Sequence, residues 1–184
     1  DWTDPANWVL TDSTGNVVDK STISGSAIPQ SQQNADVSIG ASGSTASSVT
    51  VVANAPINNQ FRSLSVWENG TLKITAQGSK GTHGYVFAVA GFENDGNIIV
   101  DTPSLVEFGG VTANRGDGTI TIMNNHGNVV FDDGSLNNGG TLNLINASLG
   151  SAGKPLWVNG GPVNLQQNSS VFLNFGAGRT INVY

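Results

Sequence analysis

Apolar and polar residues alternate over short stretches of this chain, and the stretches return at a nearly fixed distance. The pattern "GTLKI" at Gly70–Ile74 recurs as "GNIIV" at Gly96–Val100, "GTITI" at Gly118–Ile122, "GTLNL" at Gly140–Leu144, "GPVNL" at Gly161–Leu165 and "RTINV" at Arg179–Val183. The first apolar residues of these copies, Leu72, Ile98, Ile120, Leu142, Val163 and Ile181, are 26, 22, 22, 21 and 18 residues apart. Alternation with period two marks a strand with one buried face, and no stretch keeps a helical period of 3.6 for long enough to predict a helix. A second apolar segment precedes each copy: "SLSVW" from Ser63, "YVFAVAGF" from Tyr85, "SLVEF" from Ser104, "NVVFDD" from Asn128, "PLWV" from Pro155 and "SVFLNF" from Ser170.

Short strands broken by Gly and Asn, repeating at this interval, predict an all-β solenoid whose coils stack in register. A single coil cannot bury its inward Leu, Ile and Val, whereas coils stacked about 4.8 Å apart form parallel ladders around one apolar column. Lys73, Thr121, Asn143, Asn164 and Asn182 are then the outward alternates. The stretch "SVWENGTLKIT", Ser65–Thr75, tests this reading, because Asn69-Gly70 between two alternating runs is also a strong hairpin signal. With Asn138-Gly139 and Asn159-Gly160 it supports the alternative, an antiparallel β-sandwich. The shared interval favours a coil corner instead. Residues 1–34 read as an N-terminal cap and surface excursion, and residues 35–184 as the β-solenoid. The Ser-, Gln-, Gly- and Asn-rich stretch Thr22–Ser48 has few apolar anchors and reads as a long excursion.

Coils of this length with a "GTLxL"-like strand resemble the single-stranded right-handed parallel β-helix of pectin-lyase-like proteins and bacterial surface adhesins. The opening "DWTDPANW", followed by "ADVSIG" at Ala35–Gly40, "SVTVV" at Ser48–Val52 and "SLSVWENGTLKI", is similar to the start of bacterial secreted β-helix proteins and, more loosely, of the G8 domain. The resemblance implies a right-handed coil and a secreted or surface protein.

Composition agrees with a protein built of strands and corners. Charged residues make up 11% of the 184, and 24 residues are Gly. The net charge of -6, with seven Lys and Arg in all, leaves no basic stripe for a nucleic-acid backbone. No apolar run is long enough to span a bilayer, and the sequence opens at Asp1 without a signal-peptide pattern, as expected of a processed or excised chain. Absence of cysteine fits an extracellular protein that needs no disulfides.

Catalytic chemistry on a β-helix calls for clustered carboxylates, holding calcium beside a basic residue or paired for glycoside hydrolysis. The acids with that potential are Glu93 and Asp95 in "FENDGN" and Asp132-Asp133 in "VFDDGS". Adjacent residues of a strand face opposite ways, so Asp132 and Asp133 read as turn formers, as do Asp and Asn at the other corners. His83 and His126, the only histidines, sit beside glycine without metal-ligand spacing. Arg115-Gly116-Asp117 is ordinary turn chemistry. No catalytic residue, metal or cofactor is therefore assigned, and the chain reads as a non-enzyme.

The functional expectation is a non-catalytic extracellular structural module of the bacterial surface, adhesin or matrix type. Its partners are copies of itself or other matrix components, with no nucleic acid and no membrane insertion. Trp2 and Trp8 are plates suited to covering the first coil, and "TINVY" keeps a strand pattern with no polar cap. Trp2, Trp8, Thr180, Ile181, Val183 and Tyr184 are the candidates for head-to-tail self-association into filaments. Trp67 and Trp157 are candidates for glycan contact in the alternative reading, a carbohydrate-binding or polysaccharide-active protein.

Overall fold

A computed structural model describes residues 2, 4–9, 16, 36–43, 47–54, 57–58, 62–75, 83–87, 91–131, 135–150, 156–175 and 180–184. The described strands form a β-solenoid. A first sheet of seven strands runs in the order Asp36–Ile39, Ser63–Val66, Gly91–Asn94, Val111–Asn114, Ser135–Asn138, Leu156–Gly160 and Leu173–Phe175. A second sheet of seven runs Val49–Ala53, Gly70–Ile74, Asn97–Asp101, Thr119–Met123, Thr141–Ile145, Val163–Gln166 and Ile181–Val183. The third has four strands, Ile57–Asn58, His83–Phe87, Leu105–Phe108 and Val129–Phe131. A further pair joins Ser148–Leu149 to Ser170–Val171, and His126 bridges in parallel to Ser148. Order in each sheet follows order in the chain, so every coil stacks on the one before it.

The predicted repeat positions form a single register column. Leu72 stands opposite Ile98, Ile98 opposite Ile120, Ile120 opposite Leu142, Leu142 opposite Val163 and Val163 opposite Ile181. Val51 extends the column downward. Ser65–Thr75 is a corner and not a hairpin: Val66 ends a first-sheet strand, Gly70 begins a second-sheet strand, and the Gly70 N–H donates to the Trp67 carbonyl at 2.6 Å. The ladders between consecutive coils are parallel, which sets aside the antiparallel sandwich.

Of the segments expected before each copy, Ser63–Val66 of "SLSVW" and residues 156–158 of "PLWV" lie in the first sheet, and Leu105–Phe108 of "SLVEF" and Val129–Phe131 of "NVVFDD" in the third. "YVFAVAGF" reaches both, with Tyr85–Phe87 in the third sheet and Gly91–Phe92 in the first. Asp36–Ile39, inside the stretch read as a surface excursion, is a core strand with Val37 and Ile39 buried.

Inward side chains from the sheets meet in one column. Phe92 packs on Phe108 at 4.9 Å between ring centroids, and Phe108 stacks on Phe131 at 5.4 Å. At the N-terminal end Trp2 is wholly buried, and its N–H donates to the Val52 carbonyl at 2.9 Å. Val49–Ala53 is the end strand of its sheet, so Trp2 occupies an edge that would otherwise present unpaired backbone and bare core.

Close backbone approach explains the glycine that opens the first five copies of the repeat. A Cβ on Gly118 would run into the carbonyl oxygen of Asn94, and a Cβ on Gly140 into that of Gly118. Glycine is required here by stacking distance rather than by an unusual φ. Gly116, two residues away in the same corner, has open space where its Cβ would be. Gly118→Ala is therefore expected to cost at least about 2 kcal/mol, and Gly116→Ala to stay within about 1 kcal/mol of wild type, as read by urea unfolding. Equal effects of the two would contradict the stacking argument.

Candidate functional site

The first sheet changes character partway along its inward column. Ile39 and Val66 are followed in register by Asn94, Asn114 and Asn138, and then by Gly160. All three asparagines are buried. Asn94 Nδ2 donates to Asn114 Oδ1 at 2.7 Å, and Asn114 Nδ2 to Asn138 Oδ1 at 2.6 Å. Their amides also reach the second sheet, Asn94 through the Thr119 carbonyl at 3.2 Å and Asn114 through the Thr141 carbonyl at 3.1 Å. A buried amide without such partners would be costly; satisfied, it locks coil to coil and sheet to sheet. At the N-terminal end of the ladder Asn94 Oδ1 is buried with no partner among the described residues.

A second amide ladder lies on the outside, at the outward alternates of the second sheet. Asn143 Nδ2 donates to Thr121 Oγ1 at 3.4 Å, Asn164 Nδ2 to Asn143 Oδ1 at 2.8 Å, and Asn182 Nδ2 to Asn164 Oδ1 at 2.7 Å. Its amides donate toward the N-terminal coils, opposite in sense to the inner ladder. A third corner position repeats the motif: Asn146 donates to Asn124 at 3.0 Å and Asn124 to Asp101 at 3.1 Å, with Asn124 and Asn146 at φ 54° and 48°. Asparagine tolerates this left-handed region better than most residues, which suits it to the corner.

Charge gathers at the corner between the first two sheets. Arg115 Nη2 pairs with Glu93 Oε1 at 2.5 Å, and Arg115 Nε lies 3.9 Å from Asp95 Oδ2. Burial pushes the Asp95 carboxyl above the usual carboxylate range; Arg115 opposes this, and Glu68, Glu93 and Asp117 add to it. The Arg115-Gly116-Asp117 tripeptide thus has its cation engaged by the preceding coil. At the first coil, Arg62 pairs with Asp36, and Ser63 Oγ donates to Asp36 Oδ1 at 2.5 Å. These hydrogen bonds hold the Asp36 carboxyl below its ordinary value. Among the described residues no three His, Cys, Asp or Glu side chains come together as a metal site.

The remaining candidates are scattered. His83 lies on a third-sheet strand, and His126 is exposed at its parallel bridge. Asp132 and Asp133 lie outside the described residues. Trp8 is half-buried, edge-on to Trp2 at 5.2 Å, with its Nε1 donating to the Trp2 carbonyl at 2.9 Å. Trp2 is therefore interior, not surface. Trp67 is half-buried in a corner, whereas Trp157 is exposed on the outer face of the first sheet. Thr180, Ile181, Val183 and Tyr184 are exposed on or beside the final second-sheet strand. The Tyr184 N–H donates to the Leu165 carbonyl at 2.9 Å, so the strand is held on one side.

Sequence reasoning missed the inner ladder. Its signal was an Asn at the end of three successive first-sheet strands, in "FEN", "TAN" and "LNN". No protein-family model, curated protein or solved structure matches this chain. The β-solenoid therefore stands on its geometry, and the likeness to pectin-lyase-like and G8 sequences carries no family membership.

Two measurements test this site. Asn114→Ala removes bonds on both sides of a buried amide and is expected to lower unfolding stability by about 2–4 kcal/mol, whereas Asn143→Ala on the outer face costs about 1 kcal/mol or less. In a carbon NMR titration of the carboxylates, Asp95 is expected above and Asp36 below the ordinary value, and Arg115→Gln should move Asp95 further up. The stability signs follow from linkage. Asp36 stabilises the fold above its unfolded pKa of about 3.9 and loses that contribution as pH falls through its lower folded value. Asp95 acts oppositely, since its charged form is disfavoured in the fold and stability is regained as pH falls through its raised value.

Proposed function

We propose that this chain is a non-catalytic structural module of the cell exterior, a β-solenoid of the bacterial surface, adhesin or matrix type that associates end to end with other copies of itself. The observation that carries this reading is the unbroken register of two seven-stranded parallel sheets, with amide ladders fastening the coils from inside and outside. Such a column is a rigid spacer, because each coil is held chiefly by its neighbours. The charged pairs described above are spent on joining coils rather than on facing an open cleft. Low charge, many amides and absence of cysteine support an exterior setting. Among the described residues no helix is long and apolar enough to cross a membrane.

End-to-end association draws its support from the final second-sheet strand. Ile122 and Leu144, inward in the same column as Val183, are wholly buried, whereas Val183 is 77% exposed. Ile181 is 41% exposed, although Ile120 and Leu142 beneath it are buried. The outer amide ladder also reaches its last described member there, at Asn182. A parallel strand with apolar residues flanking a polar one would continue both columns.

Sedimentation velocity over a range of concentrations tests the association. Wild-type chain is expected to grow in mass with concentration, Val183→Asp to remain monomeric, and Val130→Asp, on another face, to behave as wild type. A monomer at every concentration would remove self-association from the proposal.

A further inference from the structure

The outer face of the first sheet carries a group of side chains that stacking does not explain. Trp157 lies between buried Leu156 and Val158, so its ring points outward, and it is 51% exposed. Its register partners are Ser135 on one coil and Asn174 on the next. Phe172 is 46% exposed at the corner that leads into Leu173–Phe175, two residues before Asn174. Its backbone is fixed to the preceding coil by two bonds: its N–H donates to the Leu149 carbonyl at 2.9 Å, and its carbonyl accepts from Leu156 N–H at 3.0 Å. Two residues beyond Trp157, on the same face, the exposed Asn159 donates through Nδ2 to Asn137 Oδ1 at 3.3 Å.

We infer that Trp157, Phe172, Asn159 and Asn137 form a binding platform for an uncharged polysaccharide. A sugar ring has an apolar face of C–H groups and a rim of hydroxyls. It is matched by a flat, rigid indole beside groups that both donate and accept. The Asn137–Asn159 bond uses one proton and one oxygen, leaving Asn159 Oδ1 and Asn137 Nδ2 as an acceptor and a donor for neighbouring hydroxyls. Ser135, small and directly beneath Trp157 in register, leaves room along the solenoid axis, so an extended chain lies parallel to the coil stack. Charge selects the class of glycan. In the column below the amides the register runs from Asn137 through Ala113 to Glu93, and Glu93 is already taken by Arg115. No cation among these platform residues offers a partner for a uronate, and the chain as a whole carries a net charge of -6 that repels one.

The platform is flat and small. A stable protein partner needs roughly 800 Å² on its side, far more than two rings and two amides supply. Glycan binding therefore goes beyond the structural role proposed above and does not depend on end-to-end association.

Affinity electrophoresis and titration calorimetry with soluble neutral polymers, namely mixed-linkage β-glucan, xylan and galactomannan, and with polygalacturonate as the acidic comparison, test the inference. Binding to at least one neutral polymer is expected, with a loss of tenfold or more in Trp157→Ala, a smaller loss in Asn159→Ala, and no change in Val130→Ala. Trp157→Phe should retain part of the affinity, and circular dichroism should show every variant folded, since each substituted side chain is outside the core. Failure to bind any of the neutral polymers, preference for polygalacturonate, or neutral binding that survives Trp157→Ala would each overturn it.

Discussion

Coils can stack at the spacing of a parallel ladder, about 4.8 Å, only where no side chain stands between one corner and the next. At Gly118 and Gly140 the backbone carbonyl of an adjacent coil occupies the place of a Cβ. That constraint brings the second-sheet strands into hydrogen-bonding register, and the register places Leu72, Ile98, Ile120, Leu142 and Val163 one above another in a dry column. The "GTLxL" pattern thus joins a backbone requirement to the side chains that profit from it.

Amides carry the same logic into positions where aliphatic groups would also have fitted. Val66 and Asn94 are register neighbours in one inward column, yet one is held by contact and the other by hydrogen bonds to the coil above and to the second sheet. Aliphatic columns reward any close packing, whereas a buried amide is stable only with particular partners. Asn94, Asn114 and Asn138 therefore specify alignment more sharply than Leu72 or Ile98 do, and a slip by one residue would turn them to the wrong face.

The parts of the fold that depend on pattern were legible in the sequence. Alternation and interval located six of the seven second-sheet strands, all but Val49–Ala53. Val111–Asn114 and Ser135–Asn138 escaped notice because their inward residues include Thr112, Asn114 and Asn138, which alternation reads as outward and turn chemistry reads as loop. The Arg115–Glu93 pair was hidden for another reason. Its partners are 22 residues apart, one repeat, but only knowledge of which strands share a sheet turns that interval into contact. Trp157 was recognised as a candidate by residue type, while the amides on its face emerged only once strand faces were known.

Trp2 braces the first coil from within, while each later coil leans mainly on its two neighbours. Under tension such a body does not fail all at once. Pulled from the end opposite Trp2, it would give way a coil at a time, each of some 22 residues. At about 3.3–3.6 Å per extended residue, every surrendered coil would lengthen the tether by roughly 70–80 Å and leave the remainder folded. A body made this way would take up a load in steps, each with its own length.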